Sequence, residues 1–200
     1  MKKLYPALII AAAILTSCSD NENYEGLDAK TFTVNEKVVD LDGKSDPEIC
    51  AVTDLIAGQN YTAGVVEVAA DSENLYVTYR TSGNWVLGQT HLYLGTLEGV
   101  PQNEPGNPRV GHFPYQASHS AGTNEVTYTM PINDIDDCFY AAAHAVVYLT
   151  DDAGNVISSE TAWGDGVAMA GKNWATVSEF CKTGCTNDDN DSIGGPIRRR

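Results

Sequence analysis

Residues 139–166 constrain the fold more than any other stretch. They read Phe139-Tyr-Ala-Ala-Ala-His144-Ala-Val-Val-Tyr-Leu149, turn through Asp151-Asp-Ala-Gly-Asn155, and resume from Val156 to Trp163-Gly-Asp-Gly166. Ala141 to Ala145 could begin a helix, since alanine is the strongest helix former. Length and flanks argue for a strand instead: the run is short, ends in Val146-Val147-Tyr148, and meets an Asp/Gly/Asn turn followed by a second β-branched segment. In a strand, Phe139, Ala141, Ala143, Ala145, Val147 and Leu149 share one face, and Tyr140, Ala142, His144, Val146 and Tyr148 the other. Both faces are apolar, so this hairpin is expected to be covered on both sides near the middle of a sheet.

The rest of the chain repeats that grammar. Turn signals recur every 8–15 residues, and neither a long capped helix nor an internal repeat is present. The expected class is all-β, an antiparallel β-sandwich of jelly-roll or Ig-like type. Strands are expected over 30–41, 61–70 (with Gly64 at a bulge), 75–81, 85–97, 124–130 and 175–181. Residues 98–121 hold Pro101, Pro105, Pro108 and Pro114 among several glycines. Proline donates no ladder hydrogen bond, so this is expected to be one long Pro/Gly-rich loop folding back over the sandwich.

The N-terminus carries an address. Lys2 and Lys3 precede a dozen apolar residues, too few to span a bilayer and enough for a signal peptide. The Leu15-Thr16-Ser17-Cys18 that ends it resembles the lipobox of bacterial lipoproteins, in which the cysteine is lipidated and becomes the first mature residue. The alternative is an ordinary signal peptide with an incidental Cys18. The acidic segment after Cys18 resembles the surface-export tag of Bacteroidetes lipoproteins; read blandly, it is a polar tether. The expected organisation is a lipoprotein signal peptide over 1–17, an acidic tether over 18–29, one β-sandwich domain over 30–185 and a flexible tail over 186–200. An outer-membrane lipoprotein facing the cell exterior follows, with a periplasm-facing one as alternative.

Cleavage before Cys18 would remove two lysines and no acid, leaving 10 basic against 27 acidic side chains. So acidic a surface repels phosphate backbones, which argues against nucleic acid as a partner. Cys50, Cys138, Cys181 and Cys185 remain, and an even number in an exported chain suggests two disulfides, with three possible pairings.

Several segments together resemble a domain found in secreted and surface proteins of Bacteroidetes and other bacteria: Thr90-His-Leu-Tyr-Leu-Gly95, Gly106-Asn-Pro-Arg-Val-Gly-His-Phe-Pro-Tyr115, Ala142-Ala-His-Ala-Val-Val147, Glu160-Thr-Ala-Trp-Gly-Asp-Gly166 and Gly171-Lys-Asn-Trp-Ala-Thr176. The resemblance covers residues 53–181. It implies a self-contained extracellular module, and it brings neither an accepted activity nor catalytic residues.

Candidate sites follow from residue chemistry. Trp163, Trp174, Phe113 and Tyr115, with Trp85 and Tyr93, could stack on the C–H face of a sugar, and His112 and His119 share the long loop with two of them. The competing reading is that these rings are core. His91 and His144 lie in strands between apolar neighbours and are candidate metal ligands; the competing reading is hydrogen-bonded structural histidines. Asp165, with His112 and His119 of the long loop, is a candidate for a surface metal site; the competing reading is solvated or stacked histidines. The acidic clusters at 134–137, 151–155 and 188–191 make calcium possible, although turn chemistry explains the second. No cofactor is otherwise implied. The chain lacks a nucleophile elbow, a phosphate loop and a zinc-protease motif, and no catalytic residue is assigned. Glu160 and Asp165 could hydrolyse a glycoside if held about 5–9 Å apart. The expected function is a cell-surface binding module for an extracellular glycan or protein ligand, with a polysaccharide hydrolase or a structural spacer as alternatives.

Overall fold

The computed structural model describes residues 32–36 and 47–185. The expected signal peptide (1–17), Cys18, most of the expected tether-to-strand region and the expected tail (186–200) lie outside them. The described chain is all-β and antiparallel, 59% strand with no α-helix. Eleven strands form: β1 (Thr33–Asn35), β2 (Glu48–Ala57), β3 (Tyr61–Ala70), β4 (Asn74–Thr81), β5 (Trp85–Gly95), β6 (Tyr115–Ser118), β7 (Glu125–Pro131), β8 (Cys138–Thr150), β9 (Val156–Gly164), β10 (Val167–Ala168) and β11 (Thr176–Cys181).

Hydrogen bonding runs β1-β7-β4-β3-β2-β9-β8 and continues through β5 to β6. The sheet curls until it nearly closes into a barrel. At the seam Phe32 meets the Tyr115 ring edge-on at 5.2 Å, and Ser120 N–H donates to Glu36 Oε1 at 3.3 Å. The hairpin read first from the sequence is β8–β9, and it sits mid-sheet. β8 bonds β5 along one edge and divides the other, giving His144–Thr150 to β9 and Cys138–Ala141 to β11.

The alternation read from β8 places Phe139, Ala141, Ala143, Ala145 and Val147 in the inner core, with Leu75, Val77 and Tyr79 of β4 in the same cluster. Each large aliphatic buried there contributes about 1.5–3 kcal/mol relative to exposure. Two of the interior tyrosines are paired: Tyr79 Oη donates to the His91 carbonyl at 3.1 Å, and the Tyr128 and Thr90 hydroxyls lie 2.7 Å apart; the buried Tyr115 hydroxyl has no hydrogen-bond partner among the described residues. The bulge expected at Gly64 falls beside it, where the β2–β3 register shifts between Leu55/Gly64 and Ile56/Thr62.

The sequence reading missed three strands: the two-residue β10, β2 and β6. β2 follows the Asp46-Pro47 break, and its register shift between Ile49 and Ala51 disrupts the period-two pattern that marks a strand. β6 lies inside the stretch expected to be wholly irregular. It starts just after Pro114, and as a four-residue edge strand on β5 it needs only one bonded side.

The four cysteines pair as Cys50–Cys185 and Cys138–Cys181. Both bridges lie at the end of the sheet where β2 and β8 begin.

Candidate functional site

The outer wall of β5, β8 and β9 has two halves with opposite character. In the upper half His91, His144 and Trp163 stand in one row across three strands. The two imidazoles face each other, Nδ1 to Nδ1, at 3.4 Å, and the Trp163 ring meets His144 edge-on at 4.8 Å. Burial, then the neighbouring His91, pushes His144 down to about 4; burial also lowers His91. Both rings are therefore neutral near pH 7, and one Nδ1–H can donate to the other nitrogen. Phe113, arriving from the 98–114 segment, closes this half. It packs against Tyr93 at 6.1 Å and Trp163 at 6.4 Å, in an apolar cluster with Val100, Ala142, Ala175 and Val177.

That packing corrects the expected ring platform. Phe113 is 1% exposed, Tyr115 0% and Trp163 5%, so none presents a face to a ligand; Tyr115 belongs to the inner core. Trp174 is half-buried against the outer cluster and His112 is exposed. The His119 side chain is 1% exposed. It lies where the sheet nearly closes, with Nε2 2.7 Å from Thr90 Oγ1 and Nδ1 3.5 Å from Glu36 Oε1. Burial lowers its pKa, partly offset by Glu36. Phe113 and Tyr115 thus serve packing, and His119 lies in the seam, while His112 is exposed.

His91 and His144 stand side by side in the upper half of the wall. Asp165 lies in the lower half of the wall, away from the His91–His144 pair. Among the described residues no three His, Cys, Asp or Glu side chains converge as a cation site. Asp151 Oδ1 accepts hydrogen bonds from Ala153 and Asn155 N–H, the turn chemistry anticipated for it. Asp188, Asp189 and Asp191 are outside the described residues. Glu160 and Asp165 are also separate: Glu160 accepts from Ser158 Oγ at 3.3 Å and lies beside Gly58, and it is absent from the groove that Asp165 lines.

The lower half of the wall is open. Below Gly164, β9 leaves the sheet and β11 takes its place against β8, but β11 does not hydrogen-bond to β2. A groove of about 1300 Å³ occupies this parting. Its sides are β2 at Val52–Asp54, β11 at Val177–Glu179, the 165–170 link and the start of the long loop at Leu97 and Glu98, with Tyr140 of β8 also lining it. The link is pinned: Asp165 N–H donates to the Asp54 carbonyl at 2.7 Å, and Ser178 Oγ donates to the Asp165 carbonyl at 2.7 Å. At Gly166 a Cβ would lie 2.3 Å from the Val177 carbonyl oxygen, so a residue without one lets the link run this close to β11.

Four carboxylates line the groove, from Asp54, Glu98, Asp165 and Glu179, and among the described residues no lysine or arginine does. Between them Val52, Leu97 and Val167 are 46%, 38% and 55% exposed. Exposed aliphatics are unremarkable one at a time, whereas three lining one concavity mark a contact surface. Apart from Asp165 these residues escaped the sequence reading. The available signal was an aliphatic and an acid two apart on one strand face, Val52 with Asp54 and Val177 with Glu179.

Compared with protein-family models, with curated proteins and with solved structures, the chain finds no match in any of the three.

Proposed function

We propose that this chain is a binding module of the bacterial envelope, lipidated at Cys18, carried outward by the acidic tether, and holding a protein ligand in the groove between β2 and β11. The observation that carries this reading is the groove itself: a concavity large enough for an extended segment, apolar at Val52, Leu97 and Val167, acidic at its margins, and set on strands tied by two disulfides. With it goes a fold reading of a flattened barrel closed at the β1–β6 seam, in place of a two-sheet sandwich, and membership among the secreted and surface modules that the sequence resembles.

The anchor is tested by metabolic labelling with a palmitate analogue and membrane fractionation of wild type and Cys18→Ala; equal labelling of the two would refute it. The groove is tested by crosslinking from a photoreactive residue at position 167 on cells, where capture confined to the barrel's far end would refute it.

One observation favours a glycan as a second reading. Tyr61 is exposed, and its ring lies 6.4 Å from the part-exposed Trp85 at the end of the barrel away from the disulfides. Two accessible rings are the platform that Phe113, Tyr115 and Trp163 fail to supply. A glycan array probed with wild type and with Trp85→Ala separates the two: signal lost in the variant would move the ligand from the groove to this end.

A further inference from the structure

The groove also specifies the chemistry of its occupant, an inference that rests on the groove being the ligand site. We infer that it takes an extended peptide segment rich in lysine or arginine, alternating with aliphatic residues, which adds a strand to the open edge of β2.

The backbone supplies the first reason. β2 is bonded to β3 along its length from Glu48 to Ala57, but to β9 only over Leu55–Ala57. Residues Ile49 to Thr53 therefore have a second edge that no strand of the described chain occupies. An open edge with backbone N–H and C=O groups is a template for strand addition, and proteins that do not use such an edge usually protect it with lysine, proline or a covering element. The turn after β11 packs on this stretch at Cys50, to which Cys185 bonds it, whereas Ala51, Val52 and Thr53 are neither lysine nor proline and Val52 is exposed.

The side chains supply the second. A strand laid along this edge would direct alternate residues toward the outer wall, where Val52, Leu97 and Val167 offer aliphatic contact and Asp54, Glu98 and Glu179 offer negative charge. A cationic segment neutralises those carboxylates, while an acidic segment or a phosphorylated one is repelled by them and by the net charge of −15. Main-chain pairing gives affinity without sequence preference, and the charge gives selection.

The test uses the full processed chain and a fluorescein-labelled nonapeptide of alternating lysine and valine, read by anisotropy at low and at physiological salt. Saturable binding is expected, weakening as salt rises, and at least about tenfold weaker for an Asp54→Lys/Glu179→Lys variant. A peptide of the same charge, N-methylated at alternate residues on the paired edge, should lose binding, whereas methylation on the opposite edge should not. Equal loss from both, or from neither, would show a charge contact without strand addition and overturn the inference. So would binding that ignores the double variant, or tighter binding of a glutamate–valine peptide. Binding seen only when Arg198, Arg199 and Arg200 are all changed to Gln would make the chain's own end the occupant, and would overturn the external partner. If no cationic peptide binds while crosslinking from position 167 still captures a cell-surface protein, the groove reading stands and only the ligand class fails.

Discussion

The two halves of the outer wall are built on the same strands and held by different forces. The upper half is sealed by rings: Phe113 over Trp163, Tyr93 and the His91–His144 pair. The lower half has no such lid, and covalent bonds stand near it instead. Cys138–Cys181 ties β11 to β8, and Cys50–Cys185 ties β2 to the turn after β11. Aromatic area used as a lid cannot also touch a ligand, and a concavity left open for a ligand forgoes the burial that would have stabilised it. The bridges let the open half remain open. Whether this division holds can be tested by loosening each half in turn.

The largest effect should come from the bridges. By loop-closure entropy, a bridge spanning 43 residues contributes about 4 kcal/mol and one spanning 135 about 5 kcal/mol. Replacing all four cysteines with alanine should therefore remove most or all of the net stability of a domain this size. Hydrogen exchange on a mildly reduced sample sharpens the comparison: protection should fall first in β2 and β11 and last around Trp163. Uniform loss would mean that the two halves are one cooperative unit.

Next is the lid. Phe113→Ala deletes a ring that is 1% exposed, and a buried Phe→Ala change typically costs about 3–5 kcal/mol. Urea unfolding should show that loss, and Trp163 fluorescence should shift as water reaches the indole. A cost below about 1 kcal/mol would place Phe113 outside the load borne by the upper half.

These two experiments address what the sequence could and could not show. The hairpin over β8 and β9, and the strands β3, β4, β5, β7 and β11, were legible because alternation and turn residues are local. Which cysteines pair was not, because Cys181 and Cys185 are neighbours in the chain yet join different strands. The role of Phe113 was invisible for a related reason: a phenylalanine between Pro108 and Pro114 reads equally as a ligand contact or as a lid, and only the position of β9 beneath it decides. β2 was hidden by its bulge, and with it one whole side of the groove.

The third prediction is an acid sensitivity confined to the upper half. His144 is held near 4 against an ordinary 6.5, so the unfolded chain takes up its proton first as the pH falls. The stabilisation is complete above about 6.5 and is lost progressively through about 4, up to about 3 kcal/mol for a shift of that size. Denaturation midpoints of wild type should therefore drop further between pH 7 and pH 4 than those of His144→Asn, with His91 and His119 contributing slopes of the same sign in both. Parallel curves for the two proteins would remove His144 from the account.

The smallest effect belongs to the open half, and its smallness is the point. Asp54 and Glu179 are exposed at the groove margin. If their carboxylates held the fold together, reversing them would cost stability; if they face a ligand, the fold should hardly notice. Surface substitutions away from caps, strain and buried pairs usually change stability by no more than about 0.5 kcal/mol. Asp54→Lys/Glu179→Lys also relieves repulsion among four carboxylates that share one concavity, which offsets any lost contact. The expected urea midpoint is thus within error of wild type, while Phe113→Ala moves it far. A large destabilisation by the charge pair would mean that the acidic margin is structural, and the contrast between a lid that stabilises and a groove that waits would fail at its weaker side.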